Sequence, residues 1–185
     1  SFSTMFQSAT QFNGDISNWD VSRVNTFDAM FNNAQKFNQN IGSWNVTNVT
    51  NMSSMFDNAN SFAFNIGNWN VANVTNMSSM FQNADTFNID ISGWNVSNVT
   101  NMSNMFNSNN VFNQDLSIWD VSSVTNMEGM FQQMPLFNAP LNWGTKTGNV
   151  TNMRYMFYNN LLFNQDINNW NITNVVNFRQ MFHNA

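Results

Sequence analysis

Large apolar side chains fall at fixed places along this chain, with amides and hydroxyls between them. From Asn68 to Asn88 it reads NWNVANVTNMSSMFQNADTFN, and 25 residues later GWNVSNVTNMSNMFNSNNVFN. Trp69 and Val71 alternate with Asn70, the period-two signature of a short strand. Val74, Met77, Met80, Phe81 and Ala84 recur every three or four residues, which predicts one apolar face of a short helix or 3-10 segment. Thr75 stands where a cap belongs, and Thr125 to Glu128 has the spacing of a capping box. The following NADTFN, ending at Asn88, predicts a turn, because its polar residues bond their own backbone.

The pattern repeats along the whole chain. Phe12, Phe37, Phe62, Phe87, Phe112 and Phe137 are 25 residues apart, and Phe163 follows after a slip of one. The tryptophans Trp19, Trp44, Trp69, Trp94, Trp119, Trp143 and Trp170 keep step, as do Met-Phe pairs ending in Phe31, Phe56, Phe81, Phe106, Phe131, Phe157 and Phe182. One such unit is too short to bury its own apolar face, so repeats of this kind gain stability by stacking. The expected fold is therefore an α/β, leucine-rich-repeat-like solenoid of about seven 25-residue coils. It combines short parallel strands with short helical or 3-10 segments; an all-β solenoid is the alternative. Residues 1–185 form a single repeat domain that starts and ends in mid-repeat. The sixth repeat is irregular near 137–150, where Pro140, Gly144 and Gly148 predict a bulged loop with local loss of strand pairing. The Trp and Phe series above form the expected core, and asparagines are expected to stack on one another between coils.

Composition narrows the class of protein. Hydrophobic residues make up 42% and charged residues only 8%, so solubility rests on uncharged polar groups. The net charge is -5 and the five Lys and Arg are scattered, which disfavours nucleic acid and anionic membranes as partners. There is no cysteine, hence no disulfide, thiolate metal site or cysteine nucleophile. No apolar run is long enough to insert in a membrane.

The motif FNxDISxWDVSxVTNMxxMFxxA, clearest from Phe112 to Phe131, resembles the repeat of BspA-like bacterial surface proteins and mycoplasma lipoproteins. That resemblance implies a leucine-rich-repeat-like solenoid, exported, attached to the cell surface and linked to adhesion. It supplies no catalytic residues.

Candidate chemistry is sparse. His183 is the only histidine and has no marked triad partners. Asp15, Asp90, Asp115 and Asp166 share one repeat column with Asn40 and Asn65, and Asp20 and Asp120 share another. Stacked carboxylates suit Ca²⁺, but the free exchange of Asp for Asn favours a turn role. The methionines lie on the apolar face and read as core rather than as soft-metal ligands. Asn48, Asn73 and Asn98 lie in glycosylation sequons that the repeat itself explains. No catalytic, cofactor or metal residue is assigned, and no cofactor is expected.

The surface columns say more. The two residues before each repeat Phe drift from polar (Thr10-Gln11) to apolar (Pro135-Leu136, Leu161-Leu162). Phe64 and Ile89 interrupt a column of mostly small or amide residues, Ile118 interrupts another, and Val111 joins the drift. These seven apolar residues, Phe64, Ile89, Val111, Ile118, Leu136, Leu161 and Leu162, are the candidate contact surface. The expected function is a non-enzymatic binding or adhesion module. Its partner is a macromolecule on a host, in a matrix or on a neighbouring subunit, and end-to-end self-association is open. The expected location is the cell surface or extracellular space, with a virus particle as the alternative. Two further functions stay open: a structural spacer or packing subunit, and ice or crystalline-surface binding through Thr/Ser/Asn ladders, although the column Thr47, Ala72, Ser97 is not a clean threonine array.

Overall fold

The computed structural model describes residues 1–185. Successive 25-residue units lie on one another in register, but neither of the expected regular elements forms. The chain has one six-residue 3-10 helix, Gly144–Asn149, and no α-helix. Its β-structure consists of single parallel bridges running Thr26, Asn51, Asn76, Asn101, Asn126, Asn152, Asn177, one residue per unit. The α/β strand-and-helix solenoid and its all-β alternative are both overturned.

Backbone dihedrals explain why. Ser79 and Asn83 have φ of 54° and 52°, and the equivalent residues of every other unit are also left-handed. A left-handed residue costs an L-amino acid about 1–2 kcal/mol and stops both helix and strand. Here it sits at the third position of a tight turn, as a type II turn requires. The amides of Met80 and Ala84 close such turns on Met77 and Phe81, at 3.3 and 3.2 Å. The intervening amides point the other way. Met77, Ser79, Phe81 and Asn83 donate to carbonyls of Asn101, Ser103, Met105 and Asn107 in the next unit, at 2.8–3.0 Å. The stretch predicted as helix is thus a run of turns whose alternate amides tie unit to unit.

The other side of each unit is built differently. Trp69 and Val71 are buried and Asn70 is exposed, so the alternation is real. No backbone bond joins Phe62–Val74 to its neighbours, however; the amides of Phe62, Trp69 and Val74 bond locally. Side chains do the joining. The indole Nε1–H of each tryptophan from Trp44 onward donates to the carbonyl of Ile16, Ile41, Ile66, Ile91, Leu116 or Leu141 in the unit before, at 2.9–3.2 Å. Amides of Asn48, Asn73, Asn98, Asn149 and Asn174 donate to carbonyls of the preceding unit at 2.7–2.8 Å. These asparagines bond the backbone below them instead of stacking on each other.

The Asp/Asn columns make turns. Asp15, Asn40, Asn65, Asp90, Asp115 and Asp166 each accept the amide two residues on, at 2.8–3.2 Å. Asp20, Asn45, Asn70, Asn95, Asp120 and Asn171 do the same. So do the bridge asparagines from Asn51 to Asn177. Local side-chain acceptors of this kind fix a turn where no strand or helix supplies a partner. The expected caps are absent with the helix: Thr75 and Thr125 donate their hydroxyls to the carbonyls of Thr50 and Thr100 in the unit before.

A single cluster of 52 buried residues fills the interior. Two columns of phenyl rings run through it. Rings of the Phe6, Phe31, Phe56 series stack between units at 5.5–5.8 Å. Each except Phe182 also stacks within its unit on the Phe12, Phe37, Phe62 series at 3.8–4.4 Å, closer than the usual range for aromatic pairs. Two expected core residues lie partly outside: Trp19 is 39% and Phe182 48% exposed. They belong to the outermost layers, which have a neighbour on one face only.

The irregular sixth unit keeps its place in the stack. Its extra residues wind into the 3-10 helix, and the bridges Asn126–Asn152 and Asn152–Asn177 persist beyond it. Within 137–150, as in the same stretch of the other units, the backbone bonds only locally, so there is no strand pairing to lose. Thr147 is fully buried there, and its hydroxyl reaches the carbonyls of Gly144 and Asn171 at 3.2 and 3.0 Å.

Candidate functional site

Most positions of a unit are committed to turns, bonds between units or the core. What varies stands outside those duties, and it gathers at the edge that precedes the repeat phenylalanine. Leu136, Leu161 and Leu162 are 59, 66 and 53% exposed there, and Val111 is also exposed. Beside them runs an open groove of about 700 Å³ lined by Asn110, Gln133, Pro135, Asn159, Leu161 and Asn184, with Ala185. Its amide side chains follow one another up the stack; Asn184 donates to Asn159 at 2.9 Å.

The other predicted surface residues do not join this edge. Phe64 is exposed in a separate column, and Ile118 stands alone among Asn18, Ser43, Asn68 and Gly93. Ile89 is half-buried and packs partly against the core. Glutamines in that column, Gln39, Gln114 and Gln165, bond Asn13, Asn88 and Asn138 of the unit before. Below Ile89 that asparagine is Ala63, so a glutamine there would lack this partner.

Sequence reasoning missed the surface next to the groove. The guanidinium of Arg154 lies 4.4 Å from the Tyr155 ring centroid, donates to the Tyr155 hydroxyl at 2.8 Å and meets Glu128 at 3.7 Å. The Tyr155 bond is the main reason its pKa is raised, with burial opposing. Tyr155 contacts Tyr158 edge-on at 5.6 Å, and Tyr158 stacks on His183 at 5.1 Å. A signal was present, since the chain's two tyrosines and its histidine all fall in the last repeats.

Asp57 occupies the same column as Tyr158, in the third unit. Burial pushes its carboxyl up to about 6, against the lowering effect of hydrogen bonds from Asn83 and Asn32. Asp15 and Asp90 are lowered chiefly by the backbone amides of Ser17 and Ser92, and Asp20 by the Ser22 side chain and amide. These carboxylates serve turns. His183 serves a ring stack. No helix is long and apolar enough to cross a membrane.

A family model described as "Mycoplasma protein of unknown function, DUF285" matches the chain in three overlapping stretches, residues 1–76, 61–147 and 119–185. The description names no BspA-like protein. No curated protein and no solved structure matches the chain.

Proposed function

Because the chain belongs to this Mycoplasma repeat family of unknown function, we propose that it is a non-enzymatic module that binds a macromolecule at the cell surface. The apolar edge of the later repeats is the binding face. One observation carries the reading: three leucines, each more than half exposed, stand together beside an open groove. Exposed apolar side chains grouped in this way mark contact sites. The partner is a protein of a host, a matrix or a neighbouring subunit, as in the BspA-like surface proteins that the repeat resembles.

The test is binding of the labelled protein to surfaces coated with host-cell or matrix proteins. Leu136→Asp and Leu162→Asp should each abolish retention while leaving the thermal transition in place. Unchanged retention rejects the edge.

A second reading has its own support. Thr50, Thr75, Thr100, Thr125 and Thr151 form an exposed ladder in register, each hydroxyl donating to the unit before at 3.1–3.2 Å. An uncharged array of that regularity suits a crystalline surface such as ice. Measured thermal hysteresis that is lost in Thr100→Lys supports it; absence of hysteresis in the parent protein ends it.

A further inference from the structure

Resting on the apolar-edge reading, we infer that the partner segment carries carboxylates interspersed with its apolar side chains, and that Arg179 reads them. Hydrogen bonds in other units show which surface columns touch. The column of Tyr158 and His183 neighbours that of Asn159 and Asn184, because Asn58 bonds Asp57 at 2.7 Å. That second column neighbours the Leu161 column, because Gln35 bonds Asn33 at 3.1 Å. Arg154, Tyr155, Tyr158 and His183 touch in sequence. In the last two units, therefore, one continuous strip leads from arginine through aromatic rings and groove amides to exposed leucine. Tyrosine and arginine beside a desolvated apolar contact are the side chains that dominate protein interfaces.

Charge selects the partner. The chain carries -5 overall, yet beyond Glu128 it has three cations, Lys146, Arg154 and Arg179, and one carboxylate, Asp166. Asp166 is engaged with the amide of Asn168 in a turn column. Glu128 pairs with Arg154 in the only ion pair of the protein. Arg179, in the same column one unit on, is exposed and has no carboxylate of its own. Its backbone carbonyl accepts the Tyr155 amide at 3.0 Å, which fixes its base beside the rings. An anionic group on the partner is attracted here and repelled by the aspartate-rich earlier units, so charge also sets the direction in which the segment lies.

The experiment is fluorescence anisotropy of the whole protein with three labelled synthetic peptides: alternating Leu-Glu, Leu-Gln and Leu-Lys. Leu-Glu should bind at least about tenfold tighter than Leu-Gln at low salt, with the advantage shrinking as salt is added. Arg179→Glu should erase that advantage and favour Leu-Lys, while Arg23→Glu, an exposed cation far from the strip, should change nothing. Equal binding of Leu-Glu and Leu-Gln, indifferent to Arg179→Glu, overturns this inference and leaves the apolar edge standing. Leu-Glu binding that needs Arg179 but survives Leu162→Asp refutes the edge and keeps the cationic strip. Binding of none of the three peptides overturns the inference; the coated-surface assay then decides the edge.

Discussion

At the scale of single residues, tryptophan and Asp57 show how one group can serve or strain the stack. Each interior indole fills the core and also supplies a donor to the unit below, so its loss removes one of the two hydrogen bonds that the Ile or Leu carbonyl accepts, the other coming from a local tryptophan amide. Trp94→Phe should cost roughly 2–4 kcal/mol in urea unfolding, from the lost bond to Ile66 and the space left by the smaller ring. Asp57 works the other way. Its folded pKa of about 6 exceeds the ordinary 3.8, so its contribution is intact below pH 4 and is lost as pH rises through 6. Asp57→Asn should therefore stabilise the protein relative to its parent. The gain should grow between pH 4 and 6, then level off near about 1 kcal/mol, reduced from the full shift because the carboxyl still meets water. Asp15, Asp20 and Asp90 have lowered values, so their contributions are present at neutral pH and vanish only below about pH 4. A gain that instead appears below pH 4 contradicts the assignment.

At the scale of the repeating element, the sequence showed which residues are buried but not the backbone that buries them. Val74, Met77, Met80, Phe81 and Ala84 are all buried, as a helical face would be. Consecutive turns space inward-facing residues at similar intervals, so periodicity alone does not separate the two. The deciding signal is the pair of left-handed residues, and Ser79 and Asn83 are ordinary residues with nothing of glycine's obviousness. Only Gly129 marks that column plainly. The asparagine-rich stretch was legible as turn chemistry, whereas its bonds between units were not, because they depend on the register of the stack. Those bonds are measurable. Asn98→Ala removes one exposed bond to Ala72 and should cost about 0.5–1.5 kcal/mol in chemical denaturation. Ser123 already stands at that position one unit later, so the substitution should leave the fold intact; no change in the midpoint would show that these amides do not hold the units together.

At the scale of the whole molecule, the candidate site was half legible. The drift from Thr10-Gln11 to Leu161-Leu162 is written in the sequence, and the leucines do stand exposed at one edge. The groove and the arginine–tyrosine strip were not legible, because they join columns whose adjacency only the packed units reveal. The central claim is that register, one unit over the next at intervals of 25 residues, holds the molecule together through turns, amides and stacked rings. Thermal unfolding of two deletions, followed by tryptophan near-ultraviolet circular dichroism, tests it most directly. Removing residues 76–100 joins Thr75 to Asn101 and restores every column; this shortened protein should keep its tryptophan signal and unfold in one cooperative transition. Removing residues 76–87 instead joins Thr75 to Asn88 and leaves half a unit, a mismatch far larger than the single extra residue the sixth unit absorbs, and this protein should lose the signal or unfold in separate steps. Identical behaviour of the two deletions would contradict the claim.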